Sequence, residues 1–395
     1  MFRRNIDERP DLAARAEEFG FHFASMYGEK YWDESAFYQF SLRQIEDHLE
    51  DPTEELHQMC LEVVKKVVRD DDLMRRFKIP ESQWDLIRSS WQNREPSLYS
   101  RFDFAYDGKN PAKLYENNAD TPTSLYETGF WQWLWLSDQV DRGELSRRAD
   151  QYNSVQDKLI LRFKELAAHQ RHRGKSELLY FACCKDTVED RGTVQYLQDC
   201  AAEAGVKNRF VYVEDIGVDE EGQFIDLEDQ PIRWMFKLYP WEFMFVEAFG
   251  ELLGQHDICY LEPPWKAILS NKALLPMLWR MFPDHPNLLP AFFDDETDKM
   301  KAHGGRFIKK PIFSREGANV SLIAEDGEEL TLSEGSYGEE GFIYQLAHFP
   351  SKFGENYTII GSWLVNDQPA GISMREDSGP VTQDMSRFIP HIILD

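Results

Sequence analysis

The hydrophobic pattern of the chain changes its period near residue 100. Residues 10–95 carry apolar side chains at helical spacing, as in the segment 56–64, so residues 1–96 are predicted to be mainly helical. Residues 101–106 and 113–118 instead alternate apolar and polar side chains, and an Asp-Gly turn separates them. Together the two segments predict a β-hairpin. A chain that combines such a hairpin with helices is expected to fold as a mixed α/β (α+β) protein.

Residues 176–262 are predicted to form a small α/β unit. Apolar runs at 178–182 and 210–213 are typical of buried strands, and residues 192–204 between them suit a helix. The unit lacks the glycine-rich turn of dinucleotide-binding folds, so no dinucleotide site is expected there.

Residues 263–395 are predicted to form a second part built from a helix, a hairpin and a sheet. Its predicted segments are a helix at 270–282, a polar link at 301–305, a strand at 306–311, a flexible loop at 314–319 and a strand at 320–323.

Composition narrows the partners and the compartment. The formal net charge of −26 repels nucleic acid and anionic membranes, so neither is expected as a partner. There is no apolar run of about 18 residues and no secretory leader, so the cytoplasm is the expected compartment. The five cysteines lack disulfide or zinc spacing and are expected to be reduced and mostly buried.

The predicted hairpin carries a candidate metal site. Glu116 and Asn118 lie two residues apart on one strand and share a face, and Asp103 can face them from the other strand. Two carboxylates and an amide oxygen are ligands that Mg²⁺ accepts together with nucleotide phosphates. Arg101 shares the face of Asp103 and can bind phosphate oxygens through two N–H groups. The alternative is a solvated hairpin with ordinary charge pairs.

Three hydroxyl residues follow the hairpin and precede a predicted helix. Hydroxyls and free backbone N–H groups at a helix start can bind a substrate carboxylate, and the residues concerned are Thr121, Thr123 and Ser124. The alternative is that they only cap the helix. The helix carries Trp131, Trp133 and Trp135, which are expected in the core.

Two lysines and an arginine complete the candidate groups. Lys272 at a helix start and Lys310 at a strand end can hold phosphates, and the backbone N–H groups of the loop 314–319 can close over them. Arg375 lies in a glycine-bearing segment, and such an arginine can move onto a transferring phosphoryl group. Surface lysines and a surface turn arginine are the alternatives.

These motifs together resemble the glutathionylspermidine synthase family. The resemblance covers residues 20–390 and is carried by the segments Arg101-Phe102-Asp103-Phe104, 113–123, Glu262-Pro263-Pro264-Trp265, 270–276 and 310–319. The chain is most similar to the stand-alone acid–amine ligases of that family, which lack an amidase domain.

The resemblance implies a pre-ATP-grasp unit and a permuted ATP-grasp domain within a single ligase unit, residues 1–395. Residues 97–136 would then supply the metal and substrate site, 176–262 the pre-ATP-grasp-like unit and 263–395 the ATP-binding part. The order is permuted because the metal pair Glu116 and Asn118 precedes the lysines.

The resemblance also implies roles for individual residues. Mg²⁺ would be held by Asp103, Glu116 and Asn118. ATP would be contacted by Arg101, Asp103, Lys272, Lys310, Gly317 and the hinge Gln345-Leu346-Ala347-His348. The acid substrate would lie near Thr121, Thr123 and Glu189, and Arg375 matches the arginine of a closing loop.

The chain departs from the spermidine-using enzymes where they bind the amine. The corresponding residues, Val188 and Leu238, are apolar, and the stretch 381–384 lacks the second basic residue of the closing loop. A polyammonium ligand would lose partners in such a site, so substrates other than glutathione and spermidine are predicted.

The predicted function is an ATP- and Mg²⁺-dependent ligase that joins a small carboxylic acid to an amine through an acyl phosphate. In the predicted mechanism, Arg101 and Arg375 stabilise the charge that develops during the reaction. The alternatives are a ligase acting on a peptide or protein terminus and a nucleotide-binding protein without catalysis. The sequence leaves the oligomeric state open.

Overall fold

A computed structural model describes residues 1–26, 28–185, 187–315, 317–382 and 386–395. Glu316, Gln383 and Asp384, which belong to segments discussed above, lie outside the described residues. The α-helices are α1 (Leu12–Glu18), α2 (Leu42–Ile45), α3 (Asp51–Val67), α4 (Asp71–Arg76), α5 (Trp84–Gln92), α6 (Gln132–Asp141), α7 (Val155–His172), α8 (Val188–Glu203), α9 (Trp241–Met244), α10 (Leu274–Met281) and α11 (Thr297–His303). π-Helical turns at Glu46–Glu50 and Glu127–Trp131 precede α3 and α6.

The strands of the first part of the chain are β1 (Phe2–Asn5), β2 (Ser25–Met26), β3 (Glu29–Lys30), β4 (Ala36–Phe40), β5 (Tyr99–Ala105), β6 (Lys113–Asn118), β7 (Leu178–Cys183), β8 (Lys207–Tyr212), β9 (Gly217–Val218), β10 (Phe224–Ile225), β11 (Trp234–Leu238) and β12 (Cys259–Leu261). The later strands are β13 (Ala291–Phe293), β14 (Phe307–Pro311), β15 (Val320–Ile323), β16 (Glu329–Ser333), β17 (Phe342–Leu346), β18 (Ser351–Phe353), β19 (Asn356–Val365), β20 (Gln368–Asp377), β21 (Arg387–Ile389) and β22 (His391–Ile393).

The predicted hairpin forms β5 and β6 and belongs to a larger antiparallel sheet. The strand order is β21-β20-β19-β5-β6, so the hairpin from the first third of the chain pairs with strands from its end. β19 and β20 are joined by Asn366 and Asp367, which both have positive φ, as the two-residue turns of tight hairpins require.

A second antiparallel sheet, called the lysine sheet below, contains β14, the strand that carries Lys310. Its order is β13-β17-β14-β15-β16, with β14 paired to both β17 and β15. The predicted strands at 306–311 and 320–323 are confirmed, and the described residues between them, 312–315 and 317–319, belong to no helix or strand. The predicted polar link at 301–305 is wrong in part, because residues up to His303 belong to α11 and only Gly304 and Gly305 lie beyond it.

The α/β unit of residues 176–262 has the predicted strands and helix. β12, β11, β7 and β8 form a parallel sheet in that order, and α8 connects β7 to β8. The helix begins at Val188, four residues before the predicted start, because the polar residues that precede the apolar face form its first turn. This placement brings Glu189 to the helix N-terminus.

The N-terminal region is less helical than predicted. β4 is a buried strand that pairs with β1 on one side and with β22, from the end of the chain, on the other. Its side chains alternate between two core clusters: Phe37 packs in one, and Tyr38 and Phe40 pack in the other. The prediction missed this strand because its partners are distant in sequence.

Most of the predicted core positions are buried. Trp131 and Trp135 are fully enclosed, but Trp133 is 53% exposed, because a helix that packs on one side turns every third or fourth residue outward. Cys60, Cys183 and Cys200 are buried, and Cys184 and Cys259 are half-buried free thiols. Within the described ranges, no helix has both the length and the apolar character needed to cross a bilayer.

Candidate functional site

The register of β5 and β6 brings the candidate metal ligands together. Asp103 pairs with Glu116 and Arg101 pairs with Asn118 across the hairpin. Asn118 Nδ2 donates a hydrogen bond of 3.2 Å to Asp103 Oδ2. The three side chains that the sequence groups as magnesium ligands therefore share one face of the sheet.

Arg101 is held rigidly beside this group. Its guanidinium donates to both carboxylate oxygens of Asp103, at 2.7 and 3.1 Å, and to the Thr123 carbonyl oxygen at 3.2 Å. The guanidinium also lies 5.5 Å from the centre of the Trp363 ring on β19. Gly361, on the same strand, makes room for the arginine, because a Cβ there would lie 2.8 Å from Arg101 Cδ.

Arg375 lies in a strand, so the prediction that it sits in a glycine-bearing loop is wrong. It belongs to β20, where it pairs with Ile359 of β19 and Phe388 of β21. Its Nη2 lies 3.4 Å from Asp103 Oδ2. Burial, and then the neighbouring Arg101, lower the pKa of the Arg375 guanidinium. Two guanidiniums around a single carboxylate leave positive charge that suits an anionic ligand.

Lys272 reaches the hairpin from the segment just before α10. Its Nζ lies 3.0 Å from Glu116 Oε2 and donates a 2.9 Å hydrogen bond to the Ser314 carbonyl oxygen. Burial alone would raise the pKa of Glu116, but Lys272, Lys310 and Arg101 outweigh it and lower that pKa to about 2. The Glu116 carboxylate is therefore ionised throughout the physiological range.

Lys310 also acts on Glu116, from near the end of β14. Its Nζ donates a 2.8 Å hydrogen bond to Gln345 Oε1 and lies 5.3 Å from the centre of the Tyr115 ring. Burial lowers the pKa of Lys310 to about 8, and attraction by Glu116 opposes this shift. Gln345 in turn donates 3.0 Å from Nε2 to the Leu114 carbonyl oxygen, which connects the two sheets.

The hinge residues that follow Gln345 lie at the end of β17 and just beyond it, beside the same site. The Tyr115 hydroxyl donates to the His348 carbonyl oxygen. Ala347 donates its N–H to the Arg306 carbonyl oxygen at 2.8 Å.

The hydroxyl residues lie between the hairpin and the helical segment that begins at Leu125. Ser124 has a positive φ of 78° and its carbonyl oxygen accepts from Thr128. Thr121 Oγ1 accepts a 2.5 Å hydrogen bond from Arg315 Nη1, and Arg315 Nη2 donates to Glu242 Oε1 at 3.0 Å. Arg315, in the loop after β14, thus connects the lysine sheet to the hydroxyl segment and to α9.

Glu189 is joined to two residues that sequence reasoning missed. The Tyr31 hydroxyl lies 2.9 Å from Glu189 Oε1 and 2.6 Å from Glu127 Oε1. Glu127 is buried in the π-helical turn before α6. Because the three residues are far apart in sequence, no local pattern signals their contact.

Two buried ion pairs, also unsuspected from the sequence, position the hairpin. Lys237 Nζ lies 2.5 Å from Asp120 Oδ1, and the other oxygen of Asp120 accepts the Trp241 N–H at 2.8 Å. In the second pair, Lys266 Nζ lies 2.7 Å from Glu262 Oε2. Glu262, which belongs to a motif of the resemblance, also accepts the backbone N–H groups of Leu98 and Tyr99, at 3.0 and 2.9 Å, where β5 begins. The sequence signal for these pairs is a charged residue near the end of an apolar strand, as Lys237 is in β11 and Glu262 is after β12.

Most of the predicted site residues surround one cavity of about 380 Å³. That volume lies within the range of small-molecule sites in proteins. The predicted site residues that line it are Arg101, Asp103, Glu116, Asn118, Thr121, Thr123, Ser124, Glu189, Lys272, Lys310, Gly317, Gln345, Leu346, His348 and Arg375. Ala347 is not among its lining residues; Leu238 is, whereas Val188 is 61% exposed beside a second cavity.

Comparison with known proteins then places the chain in a family. The sequence profile described as glutathionylspermidine synthase preATP-grasp matches residues 3–394. The chain belongs to the glutathionylspermidine synthase family. A family member from Haemophilus influenzae named "Putative acid–amine ligase" is 40% identical over 392 residues, which cover 97% of both chains. The resemblance found from the sequence is therefore confirmed.

Other members of the glutathionylspermidine synthase family are longer. The trypanothione synthetase of Crithidia fasciculata is 31% identical over 83% of this chain and 52% of its own length. The bifunctional glutathionylspermidine synthetase/amidase of Escherichia coli is 27% identical over 88% of this chain and 58% of its own length. These names confirm the predicted enzyme class, an ATP-dependent ligase.

Among solved structures, a glutathione synthetase-like effector from Globodera pallida aligns with a TM-score of 0.48 and 10% identity. The alignment covers 86% of this chain and 88% of that one.

Proposed function

We propose that this protein joins a carboxylic acid to an amine, using ATP and Mg²⁺, with release of ADP and phosphate. The observation that carries the proposal is the arrangement of charges around the cavity. Asp103, Glu116 and Asn118 lie on one face of the hairpin. Lys272 reaches Glu116 from just before α10, and Lys310 acts on it from β14 of the second sheet. An oxygen-rich face opposite two ammonium groups suits a metal-bound polyphosphate.

The residues present fit Mg²⁺ and a nucleotide. Glu116 is ionised, and Asp103, which contacts the guanidiniums of Arg101 and Arg375, lines the same cavity, so the oxygens of two acidic side chains face it. Mg²⁺ accepts carboxylate and amide oxygens and keeps the remaining positions for phosphate or water. When bound there, Mg²⁺ would neutralise phosphate charge and make the transferring phosphorus easier to attack.

The side chains of the cavity divide the remaining tasks. Lys272 and Lys310 would bind phosphate oxygens, and Arg101 and Arg375 would stabilise the charge that develops on the transferring phosphoryl group. The hydroxyls of Thr121, Thr123 and Ser124 would bind the acid carboxylate, which attacks the γ-phosphorus to give an acyl phosphate.

The loop after β14 would exclude water from the cavity. Arg315 ties this loop to Thr121 and Glu242, so the lysine sheet is held against the substrate end of the cavity. Gly317 lies against the backbone of Thr382, where a Cβ would be 2.6 Å from the carbonyl oxygen. A covered cavity would protect an acyl phosphate from hydrolysis until the amine attacks it.

The second cavity favours a peptide or protein terminus as an alternative substrate. It has a volume of about 490 Å³ and shares Cys184 and Thr187 with the first cavity. Its walls include Phe23, Tyr126 and Tyr196, which suit apolar side chains. A substrate with several residues beyond its reacting group would extend into this space.

The proposal is tested by measuring ADP, AMP, phosphate and coupled product across a panel of acids, amines and short peptides, with and without Mg²⁺. We expect ADP formation that rises with one acid–amine pair and requires Mg²⁺. A preference for peptides over free amino acids would select the alternative substrate class. ATP binding without turnover on any pair would indicate a nucleotide-binding protein without catalysis.

A single substitution provides the matched test of the metal site. We expect Glu116→Gln to lower turnover at least about 10²-fold, because it removes an anionic metal ligand. Glu144→Gln, an exposed substitution of the same kind, is the control and should leave turnover unchanged. Unchanged turnover in Glu116→Gln would refute the assignment of the metal site.

A further inference from the structure

Tyr31 makes short contacts with both Glu127 and Glu189, but its single hydroxyl hydrogen can serve only one of them. One phenol O–H lies 2.6 Å from Glu127 Oε1 and 2.9 Å from Glu189 Oε1. A phenol donates one hydrogen and accepts others, and an ionised carboxylate only accepts. Both short contacts are hydrogen bonds only when one of the two carboxyl groups carries a proton and donates it to the Tyr31 oxygen.

The surroundings of Glu127 and Tyr31 also favour one proton held by the two carboxyl groups. Glu127 is 1% exposed, and its second oxygen has no hydrogen-bond partner among the described residues. Burial, and then the charge of Glu189, raise the pKa of Glu127 to about 8. Burial, followed by the two carboxylates, also raises the pKa of Tyr31 well above its usual value, so the phenol keeps its hydrogen.

Two arginines act on this cluster from the cavity side. The guanidiniums of Arg101 and Arg375 act on Tyr31, and Arg101 also acts on Glu127, whose pKa it lowers. The phenol of Tyr126 lies near Glu127 on the same helical segment. Tyr31 therefore lies between the buried Glu127 and the two arginines, and Tyr31 and Glu189 line the cavity.

We propose that Tyr31, Glu127 and Glu189 share one proton and together form the base that deprotonates the incoming amine. This inference rests on the proposed ligase function and adds the residues that prepare the nucleophile. Glu189, which contacts the cavity, is the catalytic group, and Glu127 is a positioning residue that acts through Tyr31. A pair of carboxylates suits an ammonium better than the carboxylate of an acid substrate, so Glu189 serves the amine.

The proton movements balance. As the substrate ammonium binds beside Glu189, the cluster releases its shared proton to solvent and both carboxyl groups become ionised. An N–H bond of the ammonium then breaks, its electron pair stays on nitrogen, and the proton passes to Glu189, where Tyr31 shares it with Glu127. The neutral amine attacks the acyl carbon, the bond from that carbon to the phosphate oxygen breaks, and the second N–H proton leaves with the phosphate.

The shared proton is tested on the ligand-free protein by infrared difference spectroscopy between pH 6 and 10. We expect a carboxylic acid band that disappears with a midpoint near pH 8, a value taken from the pKa of Glu127. Glu127→Gln should remove this band. Glu95→Gln is the matched control, because burial also raises the pKa of Glu95 but it lies outside the cluster.

Two further variants give opposite shifts that a merely structural role would not produce. Glu189→Gln removes the repelling carboxylate and should move the midpoint to lower pH. Tyr31→Phe removes a hydrogen bond that lowers the pKa of Glu127 and should move the midpoint to higher pH. The absence of a band that depends on Glu127 in folded protein, or equal midpoints in all variants, would overturn the proposal.

The catalytic role is tested separately by the pH profile of the ligase reaction. With the acid–amine pair found in the panel, kcat/KM for the amine, which reports the protonation state of the ligand-free protein, should rise about tenfold per pH unit below the midpoint and level off above it. Tyr31→Phe should shift this rise to higher pH. A profile that does not follow the infrared midpoints would overturn the role as a base. If no pair reacts, the ligase proposal itself fails, and the infrared titration alone decides whether the proton exists.

Discussion

At the scale of single residues, His391 shows how burial fixes a protonation state. The ring is fully buried, with Nδ1 at 2.9 Å from Gln132 Oε1 and Nε2 at 3.2 Å from the Tyr152 backbone nitrogen. The Tyr152 N–H requires Nε2 to be an acceptor, so Nδ1 carries the hydrogen. Burial lowers the pKa of His391 to about 3.

This histidine should make the protein less stable in mild acid. Between about pH 6.5 and pH 3 the unfolded chain binds a proton at this position and the folded protein does not. The free energy of unfolding therefore falls with falling pH by up to about 1.4 kcal/mol per pH unit. In urea unfolding at several pH values, His391→Gln should show a shallower loss of stability below pH 6.5. His172→Gln, at an exposed position, should follow the unmodified protein, and identical slopes for His391→Gln would contradict the prediction.

At the scale of elements, the close contact of β19 with β5 and β20 determines where Arg101 lies. Gly361 faces Asp103 in one neighbouring strand and Ser373 in the other. A Cβ at this position would lie 2.6 Å from Ser373 Oγ and 2.8 Å from Arg101 Cδ. The sheet therefore leaves space for the arginine only because this position lacks a side chain.

Gly361→Ala should consequently impair the reaction more than the fold. The new methyl group displaces Arg101 by a fraction of an ångström or more, and such a misplacement can cost about 10²-fold in turnover. Overpacking should cost about 1–3 kcal/mol in the free energy of unfolding. Turnover and urea unfolding measure the two effects. Gly254→Ala, where the nearest neighbour lies at 3.8 Å, should change neither, and full turnover in Gly361→Ala would contradict the prediction.

At the scale of the whole molecule, the small sheet β1-β4-β22 connects separate core clusters. Tyr38 of β4 points toward β19 and β20, where its hydroxyl lies 2.6 Å from Thr358 Oγ1 and 2.5 Å from Glu376 Oε1. Ile392 of β22 faces the other way, into the cluster that contains Trp131. The sheet thus joins the sheet of β5, β6, β19 and β20 to the N-terminal core.

We therefore expect a mutation at the end of the chain to destabilise the distant hairpin. Ile392→Ala removes a side chain that is 1% exposed and should cost about 2–4 kcal/mol in the free energy of unfolding. Hydrogen exchange in β5 should accelerate along with that near Ile392, because both belong to one cooperative unit. Leu161→Ala, at a position that is 56% exposed, is the control. Unchanged exchange in β5 would show that the two regions unfold independently.

Local sequence patterns predicted the elements whose pairing partners are close in sequence. Strict alternation and an Asp-Gly turn gave β5 and β6 with the right partners, so Asp103, Glu116 and Asn118 were grouped before their contacts were known. β4 was missed because its pairing partners lie at the two ends of the chain. Arg375 was expected in a mobile segment because Ser378 and Gly379 follow it closely, but pairing on both sides extends β20 to Asp377.

The position of the hairpin in the sheet also bears on how the protein is made. β5 and β6 leave the ribosome roughly 250 residues before β19, the strand that covers the other edge of β5. At about 5–20 residues per second, the nascent chain waits roughly 10–50 s with this edge uncovered. During that interval Asp103 has no Arg375 beside it, and the edge of β5 can pair with other chains. A chaperone that holds the nascent chain until residue 365 has emerged would protect this edge, so overproduction without one should favour aggregation over activity.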